Sequence, residues 1–224
     1  MDMASFKVRV KIPPGFSVEK ARRAQKALAL KVKLEGVKPS QVRLVGGVDL
    51  SYPRPNRARA AAVLLDAESL KLVEAESVEA EVRFPYVPTL LSFREAPPIF
   101  KVLRKLKERP DVVLVDGQGL AHPFKCGLAC HVGVVLGIPT IGVAKRLLCG
   151  EVEGFKDGRA PIVLEGETVG MAVNTGRGKP IYVSVGHLVS LEDAVEIVLK
   201  CVRKFSRLPE PLRLAHRLAT SGRV

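Results

Sequence analysis

Cysteine is scarce in this chain: four residues, Cys126, Cys130, Cys149 and Cys201, in a length of 224. That number excludes the disulfide framework of a small secreted protein. Cys126 and Cys130 stand four apart beside His131, but no second Cys/His pair at finger spacing follows and their neighbours are apolar. They are expected as buried free thiols. Acids are also in short supply, 23 against 36 Lys and Arg, for a formal net charge of +13. This balance points to a polyanionic partner, with nucleic acid favoured over an anionic membrane surface. There is no low-complexity tract, repeat or linker, and a 47% hydrophobic composition fits one domain over residues 1–224. Met1-Asp2-Met3-Ala4-Ser5-Phe6-Lys7 has no signal-peptide core. The window from Cys126 to Ala144 lacks charge but holds four glycines, His131 and Pro139, which reads as a buried helix followed by a buried strand. A cytoplasmic protein with no membrane partner is expected.

Familiar chemical motifs are missing as well. No Gly-x-x-x-x-Gly-Lys-Ser/Thr, His-Glu-x-x-His or Gly-x-Ser-x-Gly occurs, which removes the P-loop, the zincin helix and the nucleophile elbow. Gly117-Gln-Gly119-Leu-Ala-His122 follows a strand as a dinucleotide fingerprint does. Histidine replaces its third glycine, however, and residues 136–139, where a ribose-binding acid is due, are uncharged.

What is present is a set of lone charges at the ends of apolar strands. Val18, Ala21, Gln25, Leu28 and Val32 define an amphipathic first helix. Strands are expected at 42–50, 60–65 and 71–82, with Asp66–Ser69 as a hairpin connection, and a helix starting at Pro97-Pro98. Then come a strand at 112–115, a helix at 125–136, and strands at 140–144, 162–164, 168–173 and 181–185. A helix capped by Ser190-Leu-Glu-Asp193 precedes a basic tail from Lys200, read as either a solvated or a phosphate-contacting face. Antiparallel strands followed by alternating strands and helices predict a mixed-sheet α/β domain.

Asp49 closes Leu44-Val-Gly-Gly-Val-Asp49, and Asp116 closes Val112-Val-Leu-Val-Asp116. If these strands are neighbours, the two carboxylates converge and call for a cation, with oxygen ligands favouring Mg²⁺ or Mn²⁺. Glu95, at the mouth of the next helix, completes the set. The alternative is separate pairing of each acid with a Lys or Arg. Lys145, emerging from Thr140-Ile-Gly-Val-Ala144, is either a stabiliser of phosphoryl charge or a surface lysine. His122 is either an acid/base or outer-shell group, or a structural histidine beside Pro123. Pro85-Tyr86-Val87-Pro88 makes a stiff tip suited to wedging between bases, unless Tyr86 is tucked into the core.

Taken in order, Gly47-Val-Asp49, Pro85-Tyr-Val-Pro88 with Phe93-Arg-Glu95, Val115-Asp116-Gly-Gln-Gly-Leu-Ala-His122-Pro, Gly137-Ile-Pro-Thr-Ile-Gly-Val-Ala-Lys145, Ser184-Val-Gly-His187 and Arg213-Leu-Ala-His216 resemble the endonuclease V family of deoxyinosine-directed nucleases. The resemblance implies a ribonuclease H-like fold, with Asp49, Glu95 and Asp116 as metal-site acids and His122 and Lys145 as active-site participants. It puts Tyr86 in the wedge and a further nucleic-acid contact at His216. It also implies Mg²⁺, with Mn²⁺ as a substitute, and hydrolysis of the second phosphodiester bond 3′ to inosine, leaving 3′-hydroxyl and 5′-phosphate ends. The partner is then deoxyinosine DNA, with inosine RNA or a non-catalytic binding module as rival readings. Leu91, Gly117 and Leu148 are expected near a flipped base. Val87 stands where isoleucine is common in the family, and Gln118 where histidine or asparagine is frequent; neither touches a carboxylate.

Overall fold

Apolar runs broken by turn residues build the first half of the molecule. In a computed structural model, which describes residues 17–223, Leu44–Arg54 (β1), Arg57–Asp66 (β2) and Leu72–Glu81 (β3) pair as an antiparallel meander. Val112–Asp116 (β4) joins β1 in parallel, and Thr140–Ala144 (β5) joins β4 in parallel. Glu151–Val152 (β6), Arg159–Leu164 (β7), Glu167–Val173 (β8) and Ile181–His187 (β9) complete one nine-stranded sheet, ordered β3-β2-β1-β4-β5-β9-β8-β7-β6. This is the expected mixed α/β architecture. The sequence at Met1–Lys7 lies outside the described residues.

Helices cover both faces, which is why β4 and β5 read as unbroken apolar runs. Leu91–Leu103 (α2) and Leu128–Leu136 (α3) pack Ala96, Ile99, Val102, Leu128 and Val132 against Val48, Val113 and Val115. On the other face, Leu191–Lys200 (α4) and Glu210–Ser221 (α5) bury Val195, Val198, Leu212 and Ala215 against Val45, Leu114 and Val183. Val18–Ala29 (α1), capped by Ser17, lies near α3. No described helix is long and apolar enough to cross a membrane, and Cys126, Cys130 and Cys201 are buried free thiols, with Cys149 half-buried.

Two expectations need correction. Pro97 and Pro98 lie inside α2, which begins at Leu91. Burial of Pro98, Ala96, Ile99 and Val102 carries the helix past two residues that cannot donate to the preceding turn. Glu95 consequently sits on the helix and not at its mouth. The helix expected from Lys125 begins only at Leu128, because Lys125 adopts φ +48 and Gly127 is the N-cap. Within the basic tail, α5 buries Leu212, Leu214, Ala215, Leu218 and Ala219 and leaves His216, Arg217 and Thr220 on its exposed face.

Gly47 makes the last of these arrangements possible. A Cβ there would stand 2.4 Å from the Pro211 carbonyl oxygen, so only glycine lets α5 cross β1 this closely. A turn and a half beyond Pro211, the same helix delivers His216 to Asp49 in the middle of β1.

Candidate metal centre and nucleic-acid interface

The parallel register sets Val48 beside Val115, so Asp49 and Asp116, the next residues, lie side by side at the end of β4, where β1 runs on along β2. That end is where open α/β sheets hold ligands. Asp49 is 8% exposed; its Oδ1 accepts from the Leu50 amide at 2.7 Å, and its Oδ2 lies 2.7 Å from His216 Nδ1. Burial first, and then the neighbouring Asp116 charge, push the Asp49 carboxyl above its ordinary range. Asp49, Asp116 and His216 each offer a ligand atom within 4.8 Å of the other two. Two carboxylate oxygens and an imidazole nitrogen at this spacing fit a single divalent ion, and a cation would relieve the repulsion that raises Asp49.

Glu95 stands at the edge of this group. Its Oε1 accepts from Tyr52 Oη of β1 at 3.0 Å, and the Arg94 guanidinium lies 4.9 Å from the Tyr52 ring centroid. Burial pushes Glu95 up to about 7, and Asp49 and Asp116 add to the rise. The same burial, with Glu95 beside it, raises the Tyr52 phenol. Lys145, one residue past β5, donates to Asp116 Oδ2.

The loop after β4 is held down tightly. A Cβ on Gly119 would stand 2.1 Å from the Val185 carbonyl oxygen, and the Gly119 amide donates to buried Ser184 Oγ at 2.8 Å. This glycine therefore serves close packing on β9. Gln118 Nε2 donates to the Arg146 carbonyl at 3.0 Å, while its Oε1 is buried without a protein partner. Gly117 takes φ +154, and Leu91 and Leu148 remain 37% and 49% exposed. His187 is remote in role: its Nδ1 accepts from the Lys33 amide at 3.1 Å.

Tyr86 is 59% exposed at the tip of Pro85–Pro88, which removes the reading that tucks it into the core. The base of that tip is clamped by α1. Buried Gln25 donates from Nε2 to the carbonyls of Thr89 and Cys126, both at 2.9 Å. Arg22 donates to Thr89 O at 3.2 Å, Pro88 O at 3.3 Å and Thr89 Oγ1, with its guanidinium 4.0 Å from the Phe124 ring centroid. Thr89 adopts φ +65, a conformation that needs such bracing in a β-branched residue. His122 lies beside this clamp, its ring centroid 6.1 Å from that of Phe124. It is 5% exposed, and its Nδ1 accepts from the Phe124 amide at 3.1 Å. Burial, then the Arg22 charge, hold its pKa down at about 4.

The structure thus brings Asp49, Asp116 and Lys145 together, puts Glu95 alongside, and supplies His216 as the third atom of the cluster. Sequence reasoning assigned His216 only a nucleic-acid contact, and it missed Tyr52, Arg22 and Gln25. A glutamine in the apolar stripe of α1 was the visible signal for the last of these.

A sequence model described as Endonuclease V matches residues 26–217. An endonuclease V of Thermofilum pendens is 52% identical over 212 residues, covering 94% of this chain and 91% of the relative. The crystal structure of the endonuclease V of Streptomyces avermitilis superposes with a TM-score of 0.85 at 40% identity, over 94% of this chain and 96% of that one. A Ciona intestinalis endonuclease V, solved in complex with a 24mer DNA containing an inosine followed by a ribo-adenosine, gives 0.84 at 30% identity, over 92% and 97%. The chain belongs to the endonuclease V family, metal-dependent endonucleases that hydrolyse phosphodiester bonds.

Proposed function

We propose that this chain recognises deoxyinosine in DNA and hydrolyses the second phosphodiester bond 3′ to it, leaving 3′-hydroxyl and 5′-phosphate ends. The observation that carries the reading is the convergence of Asp49, Asp116 and His216 at the sheet end where Lys145 emerges. The inosine-containing DNA held by the Ciona relative supports the choice of lesion. Asp49, Asp116 and His216 would hold Mg²⁺ or Mn²⁺, with Glu95 alongside. The chemistry such an ion supplies when bound is Lewis acidity toward a phosphoryl oxygen and activation of water.

The chain's own groups do the rest. Lys145 neutralises charge that develops on the phosphate, its ammonium already aimed at Asp116. The Leu50 amide fixes Asp49, and Tyr52 orients Glu95. Tyr86, with Val87 between two prolines, enters the stack at the lesion, and Arg22 and Gln25 hold the base of that wedge, with His122 beside them. Leu91, Gly117 and Leu148 border the flipped base. Four unpaired thiols suit the reducing cytoplasm.

Cleavage of inosine-containing RNA is the second reading, favoured by the ribo-adenosine that follows inosine in the Ciona complex. The two sugars differ by a 2′-hydroxyl, so a matched pair of deoxy and ribo inosine oligonucleotides separates them. Faster cutting of the deoxy strand supports the first reading, and faster cutting of the ribo strand the second. Full nicking by Asp116→Ala with Mg²⁺ present would overturn the metal site itself.

A further inference from the structure

Beyond Lys145 the surface carries cations that no carboxylate neutralises. The loop between β8 and β9, Asn174-Thr-Gly-Arg177-Gly-Lys179-Pro180, and the connection between α4 and α5, Cys201-Val-Arg-Lys204-Phe205-Ser-Arg207-Leu-Pro209, contain no acid. Arg177, Lys179 and Lys204 are exposed and, among the described residues, have no ion-pair partner. Arg203, by contrast, is paired with Glu210.

Arg207 ties both segments to the active-site end of the sheet. Its Nε donates to the Lys179 carbonyl at 2.8 Å, and its Nη2 to the carbonyls of Pro180 at 3.0 Å and Lys145 at 2.8 Å. Thr175 Oγ1 donates to the Arg207 carbonyl at 3.1 Å, and Arg177 Nη1 to the Phe205 carbonyl at 2.9 Å. At the crest, Phe205 is 73% exposed at φ +64, with the Lys204 ammonium 5.2 Å from its ring centroid. A left-handed backbone is unfavourable for phenylalanine, and here it holds an apolar ring out in water between cations.

We propose that Phe205, with Arg177, Lys179 and Lys204 around it, is a stacking and phosphate-binding platform for the nucleic-acid strand as it leaves the catalytic site. The inference rests on the reading of the Lys145 end of the sheet as the place of cleavage. An aromatic face among unpaired cations accepts any base and its flanking phosphates, without regard to sequence. Arg207 is a positioning residue, holding the platform in register with Lys145 through backbone carbonyls.

The test compares the wild-type chain with Phe205→Ser and Lys179→Ser on a long single-inosine duplex and on duplexes truncated separately on the 5′ and 3′ sides of the lesion. On the long duplex, Phe205→Ser is expected to lower kcat/KM by about 10-fold, carried by KM, as loss of one stacked base would. Lys179→Ser is expected to reduce the slope of log kcat/KM against log salt by about 1. On the truncation that no longer reaches the platform, wild type and variants should coincide. Equal kcat/KM on the long duplex, or an equal drop on every substrate, would overturn the proposal. Equilibrium binding of the long oligonucleotide without divalent cation reads the platform separately, so failure of inosine cleavage and failure of the platform are distinguishable. Phosphatidylserine vesicle binding that Phe205→Ser abolishes, with nucleic-acid binding and cleavage unchanged, would assign the patch to a membrane instead.

Discussion

His216 Nδ1 stands 2.7 Å from Asp49 Oδ2, a contact between residues 167 apart in the chain. It closes the group that Asp49 and Asp116 begin. His216→Ala is expected to weaken Mn²⁺ binding by about 10- to 100-fold, as loss of a group that ligates or orients a ligand does. The side chain is half-exposed, so the fold should survive. Titration of Mn²⁺ by calorimetry checks this, and unchanged affinity would remove His216 from the site.

Gly47→Ala should act on the same group from a distance. The new methyl would press on the Pro211 carbonyl and push α5 from β1, costing about 1–3 kcal/mol as overpacking does. Mn²⁺ affinity should fall as well, because His216 moves with α5. Guanidinium unfolding together with metal titration measures both.

Gln25→Ala would leave the Cys126 carbonyl without its buried donor and the Thr89 carbonyl with Arg22 alone, at a cost of about 1–3 kcal/mol. The base of the Pro85–Pro88 tip should loosen before the whole fold does. Hydrogen exchange is expected to accelerate at 88–91 and 125–128, with KM for the inosine strand rising more than kcat falls. Uniform acceleration across the chain would contradict a local clamp.

His131 gives the fold an acid sensitivity. It is 9% exposed between Phe93 and Phe100, and burial holds its pKa down at about 4 against an ordinary 6.5. The folded state thus keeps it neutral while the unfolded chain takes up a proton, and the stability it contributes above pH 6.5 is lost as pH falls toward 4. The full effect is on the order of 3 kcal/mol. Unfolding midpoints of wild type and His131→Leu from pH 7.5 to 4.5 check it: the variant should show a shallower decline, and parallel curves would refute the assignment.

Much of this was legible in the chain. Asp49 and Asp116 each interrupt an apolar strand, and an acid in such a setting announces a partner. Thr140–Ala144 was readable as a strand because a strand buried on both faces has no polar alternation to obscure it. Glu95 was misplaced because two prolines mimic a helix start, and only packing on the sheet shows the helix passing through them. His216 escaped as a cluster member because its partner lies on β1, and no local period links them.

The most direct test of the account is the position of the cut on a duplex with one deoxyinosine, mapped at nucleotide resolution with and without Mg²⁺. A single nick is expected at the second phosphodiester 3′ to the lesion, present only with the metal and lost in Asp116→Ala. Release of the free base, a cut elsewhere, or an identical nick in the presence of a chelator would contradict it.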